Sequence, residues 1–347
     1  MMRVFVNGYG SIGSRIASFL QDDPEIDVVG VGKYSPDAGV DRAVSSGLDV
    51  YVPHGSISKF KGKAAGDIQS ALNMADIVID ASPGGQGLRN KEVYKKHDVG
   101  VIYQGGESAF GSESVSSFIF NSRVNYDEAL GRRDAIQGSC NVTGLGRIIE
   151  PLRERYTNDI KRLDITLIRR WADIEQTSKS FPDTIQLTPN PHHADDARVY
   201  LGDEIPLYVR SVKVPTRQMH LHIMDIRFQG EAPSTDDIHR LFAAEKGVAV
   251  LHGAADTKQI RDFANTMKYN FTDTNMVHIH TEMSASRGDT VQIAYSDDQT
   301  GIVIPENHML LQAMMLQRPY KDAVRHTESL FHMEQRKHIL ERHFAPA

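Results

Sequence analysis

Cysteine is almost missing from this chain: there is a single thiol, Cys140, in 347 residues. One cysteine excludes an intrachain disulfide and fits a reducing cytosol. Long apolar runs are missing too. No stretch approaches the roughly 20 residues that a membrane-spanning helix needs. The opening MMRVFVNGYG enters strand-like residues at once and leaves no room for the leader and cleavage site of a signal peptide. A soluble, cytoplasmic protein is therefore expected, without a membrane partner. A basic excess is also absent. Lys and Arg number 39 against 45 Asp and Glu, a formal net charge of -6, which argues against a sequence-independent nucleic-acid binder. No internal repeat or low-complexity tract is present.

What is there has ordinary proportions. The hydrophobic share is 40% and the charged share 24%, typical of a globular protein. The length is generous for one hydrophobic core and comfortable for two domains. Histidine is plentiful, at fifteen, but most histidines pack or face solvent, and the count alone indicates no metal.

The first 139 residues alternate short apolar runs with helical spacing. Runs at 3–7, 26–32, 75–81 and 100–104 each close on glycine or turn residues, and 11–21 carries Ile12, Ile16, Ala17 and Leu20 on one face. Strands buried on both faces and separated by helices imply a doubly wound parallel sheet, an α/β Rossmann domain over 1–139. After Cys140 the texture changes. An amphipathic helix over 144–156 leads into long strands at 162–170, 206–213, 219–228, 248–252, 276–282 and 290–295. Few helices separate them, so an α+β catalytic domain over 140–303 with a largely antiparallel or mixed sheet is expected. Residues 181–196, rich in proline, histidine and aspartate, read as a long loop. The chain is helical again over 304–347, and these helices are expected to return to the first domain.

Gly8-Tyr9-Gly10-Ser11-Ile12-Gly13 is a GxGxxG motif directly after a strand and opening a helix. Its glycines permit a tight turn and close backbone approach, and the helix start offers free N–H groups to a pyrophosphate. The second strand ends on Lys33, where an NAD enzyme usually has a carboxylate for the ribose hydroxyls. A cation there attracts a 2′-phosphate, so NADP is expected as the preferred dinucleotide and NAD as the other. An exposed lysine without a role is the competing explanation.

Cys140 sits in Gly138-Ser139-Cys140-Asn141-Val142-Thr143-Gly144, at a strand-to-helix junction. A lone cysteine is most often a small buried core residue. At a helix start, however, the dipole and free N–H groups lower a thiol pKa and can hold an oxyanion. That setting, after a dinucleotide domain, points to a nucleophile.

With these motifs in place, the chain resembles the archaeal-type (class II) phosphorylating glyceraldehyde-3-phosphate dehydrogenases. NGYGSIG, VGKYSP, IDASPGG, YQGGE, NYDEALG, SCNVTG, IRRWAD, PHHADD, PTRQMHLH and IPEN follow the family's order over nearly the whole length. Val142 departs from the family's SCNTT-like run, and Trp171 stands where a small residue is usual. The resemblance implies reversible oxidation of glyceraldehyde 3-phosphate with inorganic phosphate to 1,3-bisphosphoglycerate, through a thioester on Cys140, in glycolysis or gluconeogenesis. It also implies a homotetramer.

Met219-His220-Leu221-His222 places two imidazoles on one strand face, and histidine titrates near neutrality. The resemblance favours His220 as the base, with His222 as a neighbour that orients it. HxH also reads as a metal pair, but no third ligand is evident, and no metal is expected. Arg169 and Arg170 are adjacent on a strand and point to opposite faces. The resemblance links Arg169, His192 and His193 to substrate phosphate, with Ser139, Asn141 and Thr143 beside the nucleophile. It links Arg170, Gln299 and Asn307 to the cofactor. Gly106 allows close cofactor approach. Two alternatives stand beside this reading. One is a thioester-forming semialdehyde dehydrogenase or acyl-phosphate reductase of the same superfamily. The other is a dinucleotide-binding regulator without activity, which the fold alone does not exclude.

Overall fold

Strand β1 (Met2–Asn7) is apolar and buried from Val4 to Val6. A strand with no polar face has to lie inside a sheet covered on both sides. In the computed structural model, which describes residues 1–189 and 191–345, β1 is indeed central. It is followed by α1 (Ser11–Leu20), β2 (Ile26–Gly32), α2 (Ala38–Ser45), β3 (Val50–Val52), β4 (Gly66–Asp67) and α3 (Ile68–Met74). Then come β5 (Ile77–Asp80), α4 (Gly87–Lys96), β6 (Gly100–Gln104), β7 (Ile119–Phe120) and β8 (Asp134–Gln137). The sheet order is β4-β3-β2-β1-β5-β6-β8-β7, and every neighbouring pair is parallel. The winding reverses between β1 and β5, which puts the loop after β1 at the switch point where such sheets bind ligands. The expected parallel α/β sheet is observed.

The rest of the chain folds around α5 (Cys140–Tyr156), which begins on the cysteine itself, four residues earlier than the spacing indicated. Its strands are β9 (Ile160–Arg170), β10 (Gln186–Thr188), β11 (Leu207–Val214), β12 (His220–Phe228), β13 (Val248–Leu251), β14 (Val277–Arg287) and β15 (Thr290–Asp297). Between them lie α6 (His193–Leu201), α7 (Thr235–Ala243) and α8 (Thr257–Thr266). The order β10-β11-β9-β12-β15-β14-β13 mixes parallel pairs, β11 with β9 and β13 with β14, with antiparallel ones. Residues 181–196 are not one loop. Gln186–Thr188 pairs with β11, and α6 starts at His193 with Asp195 and Asp196 in its first turn, where carboxylates suit the helix dipole. A strand of three residues has too little sequence to show a period of two.

Three helices close the chain, α9 (Val303–Leu316), α10 (Tyr320–Phe331) and α11 (Met333–His343). One compact unit comprises 1–139 with 304–330, and the other 140–303 with the chain from Phe331 on. The last helix therefore leaves the first domain, against expectation. His332 takes a left-handed turn before it. Glu341 then accepts the Val250 N–H at 2.9 Å, and Lys337 caps the carbonyls of Ala243 and Glu245 at 2.6 and 2.7 Å. No helix among the described residues is long and apolar enough to cross a membrane.

Candidate active site

In the first unit the glycine loop is built by close approach. A Cβ on Gly13 would lie 2.0 Å from the Gly8 carbonyl oxygen, and Gly8 itself has φ +125° with a Cβ position 2.5 Å from the Ala81 oxygen. Gly10 caps α1 without any side-chain acceptor, and neither Gly10 nor Gly106 (φ +124°) has protein within 4 Å of its Cβ position. Two glycines are thus required by the fold, while two border open space. That combination, ahead of uncapped N–H groups at Ser11 and Ile12, fits a pyrophosphate cradle.

Lys33 is not free. Its ammonium meets both oxygens of Asp37 at 2.7 and 2.9 Å, and its side chain keeps only 10% exposure. Asp37 also accepts the Gly39 N–H at 2.8 Å, capping α2. The end of the second strand thus holds a cation and a carboxylate together, which the spacing did not reveal. Asn307 exchanges two hydrogen bonds with Gln104, at 2.7 and 3.1 Å. Ser139 lies against Gly105, whose Cβ would sit 2.4 Å from the Ser139 nitrogen.

In the second unit, Cys140 opens α5 with its sulfur 3.3 Å from Nε2 of His220. Antiparallel pairing of β12 with β9 brings the Arg170 N–H onto Nδ1 of His220 at 3.0 Å. Since Nδ1 accepts, the neutral ring carries its proton on Nε2, facing the sulfur; this tautomer is assigned from the hydrogen-bond network. His220 and His222 do share a face, their rings stacked 5.8 Å apart. His222 does not orient His220, however. Its Nε2 is held by Asp297 at 3.0 Å, because β12 pairs with β15 and sets Asp297 opposite His220. Gly144 lets α5 approach that carboxylate, with its Cβ position 3.2 Å from Oδ2.

Asn141 places its amide 3.7 Å from the sulfur and 3.3 Å from Nε2 of His193. Its Oδ1 and the His193 Nδ1 are buried without a partner. His192 stacks on His193 at 4.2 Å but is exposed and bound to Asp196. Thr143 is wholly buried within α5, which leaves it no surface for a ligand in this conformation. Arg169 donates to Thr188 at 3.0 Å, Arg170 pairs with Asp173, and the Nε atoms of both arginines are unpartnered. Beside Arg169, in register on β11, stands Lys213, whose pKa is pulled down by burial and then by Arg169, Lys179 and Arg170. Lys213 and Asp297 escaped sequence reasoning because only strand register makes them neighbours of the motif residues. Gln299 donates to the Arg217 carbonyl at 3.3 Å and leaves its buried Oε1 unpaired.

Burial dominates the electrostatics. It pushes the Cys140 thiol up to about 12, with Asp297 adding to the effect and Arg170 opposing it. The lowered thiol pKa expected of a helix start is therefore not found in this state. His220 is held well below its usual value by burial and then by Arg170, which keeps it neutral. His193 is pushed down to about 2, first by burial and then by His192 and Arg169. Asp297 supplies the third ligand atom near Cys140 and His220 that HxH spacing lacked, all within 4.8 Å. Two arginines act on these groups and repel a metal cation, so the cluster suits anions.

The chain as a whole has counterparts among known proteins. The chain is 32% identical to the glyceraldehyde-3-phosphate dehydrogenase of Hyperthermus butylicus over 340 residues, 94% of this chain and 96% of the relative. It belongs to the archaeal glyceraldehyde-3-phosphate dehydrogenase family. Two further members agree. Glyceraldehyde-3-phosphate dehydrogenase 1 of Methanosarcina barkeri is 31% identical over 322 residues, 90% of this chain and 92% of its own. The enzyme of Saccharolobus solfataricus is 31% identical over 341 residues, 95% and 98% of the two chains. No protein-family model matches the chain. Family membership reaches both units, because these alignments cover 90–95% of the chain.

Proposed function

We propose that this chain is a phosphorylating glyceraldehyde-3-phosphate dehydrogenase whose nucleophile is Cys140. The observation that carries the reading is the Cys140–His220 contact at 3.3 Å amid Arg169, Arg170 and His193, within a chain of this family. Cys140 first loses its thiol proton to solvent, and the resulting thiolate attacks the aldehyde carbon. A C–S bond forms and the carbonyl electron pair moves onto oxygen. The Nε2–H of His220 and the amide of Asn141 are the adjacent donors for that oxyanion. A nicotinamide dinucleotide would be held at Gly8, Gly10, Ser11, Ile12, Gly13 and Gly106 with Asn307, and by family resemblance by Gln299 and Arg170, and would supply the hydride acceptor. Inorganic phosphate then displaces the sulfur from the resulting acyl thioester and releases the acyl phosphate.

His220 acts here as a hydrogen-bond donor. Attack by a thiolate yields the oxyanion directly, so no hydroxyl proton has to be taken up later. The Arg170 N–H also disfavours a proton on Nδ1 of His220. Arg169, His193 and Lys213 gather the anionic groups, while His192, exposed and bound to Asp196, stands at the margin of that set. Lys33 supports NADP and Asp37 beside it supports NAD, so both dinucleotides serve, with NADP ahead. From the family we further infer a homotetramer in the cytoplasm, a state that analytical ultracentrifugation measures.

The decisive experiment is an initial-rate assay with glyceraldehyde 3-phosphate and each dinucleotide, with and without phosphate, on the wild type and Cys140→Ser. Phosphate-dependent reduction that disappears in Cys140→Ser is expected. Absence of phosphate-dependent reduction, or preference for a semialdehyde substrate, overturns the reading.

A further inference from the structure

The first unit holds a second convergent cluster, built from residues with no role assigned above. Asp23 lies in the turn after α1 and is 2% exposed. Its Oδ1 is occupied by the Glu25 N–H at 2.8 Å. Its Oδ2 receives Nε2 of His308, from α9, at 2.8 Å and Nε2 of His326, from α10, at 3.0 Å. Two imidazoles from two helices thus aim the same ring atom at one carboxylate oxygen, and the three atoms lie within 4.8 Å of one another. We propose that Asp23, His308 and His326 form a binding site for a divalent cation of the zinc class.

The donor set fits. Two imidazole nitrogens and a monodentate carboxylate are common zinc ligands, and tetrahedral bonds of about 2.0–2.2 Å put ligand atoms about 3.3 Å apart. Reaching that from 2.8 and 3.0 Å requires the side chains to separate by only a few tenths of an ångström. On metal binding His308 moves its ring proton from Nε2 to Nδ1. For His308 an acceptor is in place, since its Nδ1 lies 2.8 Å from Thr327 Oγ1. Thr327 is in turn bonded by Gln312 at 2.9 Å, an outer shell that orients a ligating histidine. The nearby cation, Arg318, is engaged by Glu25 and by Gln312. His308 is fully enclosed, whereas the His326 side chain is 20% exposed, which gives solvent access on that side. Such an ion ties the α9–α10 pair to the corner between α1 and β2.

The test does not depend on the dehydrogenase reading. Full-length Cys140→Ser protein, stripped with a chelator, is titrated with Zn²⁺ by calorimetry and with Co²⁺ by visible absorption; the substitution removes the competing thiol. One equivalent of Zn²⁺, a rise in melting temperature and a Co²⁺ spectrum of low coordination number are expected. Asp23→Asn and His326→Gln should each weaken binding by at least about tenfold, and in the otherwise wild-type chain leave dehydrogenase activity unchanged. The partly exposed His326→Gln keeps the test valid should Asp23→Asn fail to fold. No uptake of Zn²⁺, or uptake that neither substitution weakens, overturns the proposal.

Discussion

The backbone N–H of Arg170 ends on Nδ1 of His220 at 3.0 Å. A main-chain donor cannot turn away as a side chain can, so this contact decides which ring nitrogen of His220 carries the proton. It leaves Nε2–H directed at the Cys140 sulfur, 3.3 Å away.

The donor role separates two substitutions that a base role would not. Glutamine keeps an N–H near the Nε2 position, and alanine does not. His220→Ala should lower kcat by about 10²–10³, the usual cost of one oxyanion donor, and His220→Gln by about tenfold or less. Equal losses in the two variants, measured by initial rates, would mean that a proton acceptor had been removed.

A thiol pushed up to about 12 by burial is protonated at neutral pH. Because only the thiolate reacts, alkylation of Cys140 by iodoacetamide should accelerate about tenfold per pH unit between about pH 6 and 9. The rate constant kcat/KM for aldehyde oxidation should follow the same rise. A plateau reached before pH 8 would show a thiol already ionised.

At the ribose end, Asp37 offsets the charge of Lys33. Asp37→Asn removes that carboxylate yet retains an N-cap for α2. It should improve kcat/KM for NADP over NAD by about tenfold, and Lys33→Ala should move the ratio the opposite way by a similar factor, roughly 1.4 kcal/mol in each case. Ratios unchanged in both variants would place the specificity elsewhere.

Two glycines of one motif should fail differently. Gly13→Ala drives a methyl to 2.0 Å from the Gly8 oxygen, so both melting temperature and dinucleotide affinity should fall. Gly10→Ala meets no protein atom within 4 Å. It should preserve the melting temperature while weakening the dinucleotide by tenfold or more, on the order of 1.4 kcal/mol. Thermal melts alongside fluorescence titration of the reduced cofactor distinguish the two.

Acid should destabilise the second unit before its carboxylates titrate. Burial lowers His278 to about 3 and His280 to about 4; both lie on β14 and are bonded to Ser296. Unfolded, these rings take up protons below about pH 6.5, whereas folded they stay neutral. Their contribution is therefore complete above that value and is lost as pH falls through the folded pKa values, by about 1.4 kcal/mol per unit for each ring. Denaturant midpoints measured from pH 7 to 4 should fall, and His280→Asn should flatten the slope. A flat profile in the wild type would contradict the burial.

Much of this was legible in the sequence because it depends on local pattern. Continuous apolar runs marked β1, β2, β5 and β6, and the glycine spacing marked the turn after β1, since strand burial and positive φ act on single residues and their neighbours. The position of Cys140 at a helix start and the shared face of His220 and His222 follow from periods of a few residues. Other features depended on partners distant in the chain. Asp297 met His222 through the pairing of β12 with β15, and Lys213 met Arg169 through the register of β11 on β9. Asp37 met Lys33 only four residues away, yet through side chains whose direction spacing does not set. The last helix went to β13 and the end of α7 because Glu341 and Lys337 find their partners there. The amino-acid sequence by itself determined which residues could do chemistry and on which elements they lie. The tertiary structure alone decided how enclosed they are and what faces them, and hence the protonation of Cys140 and His220, because burial and strand register are properties of the packed chain.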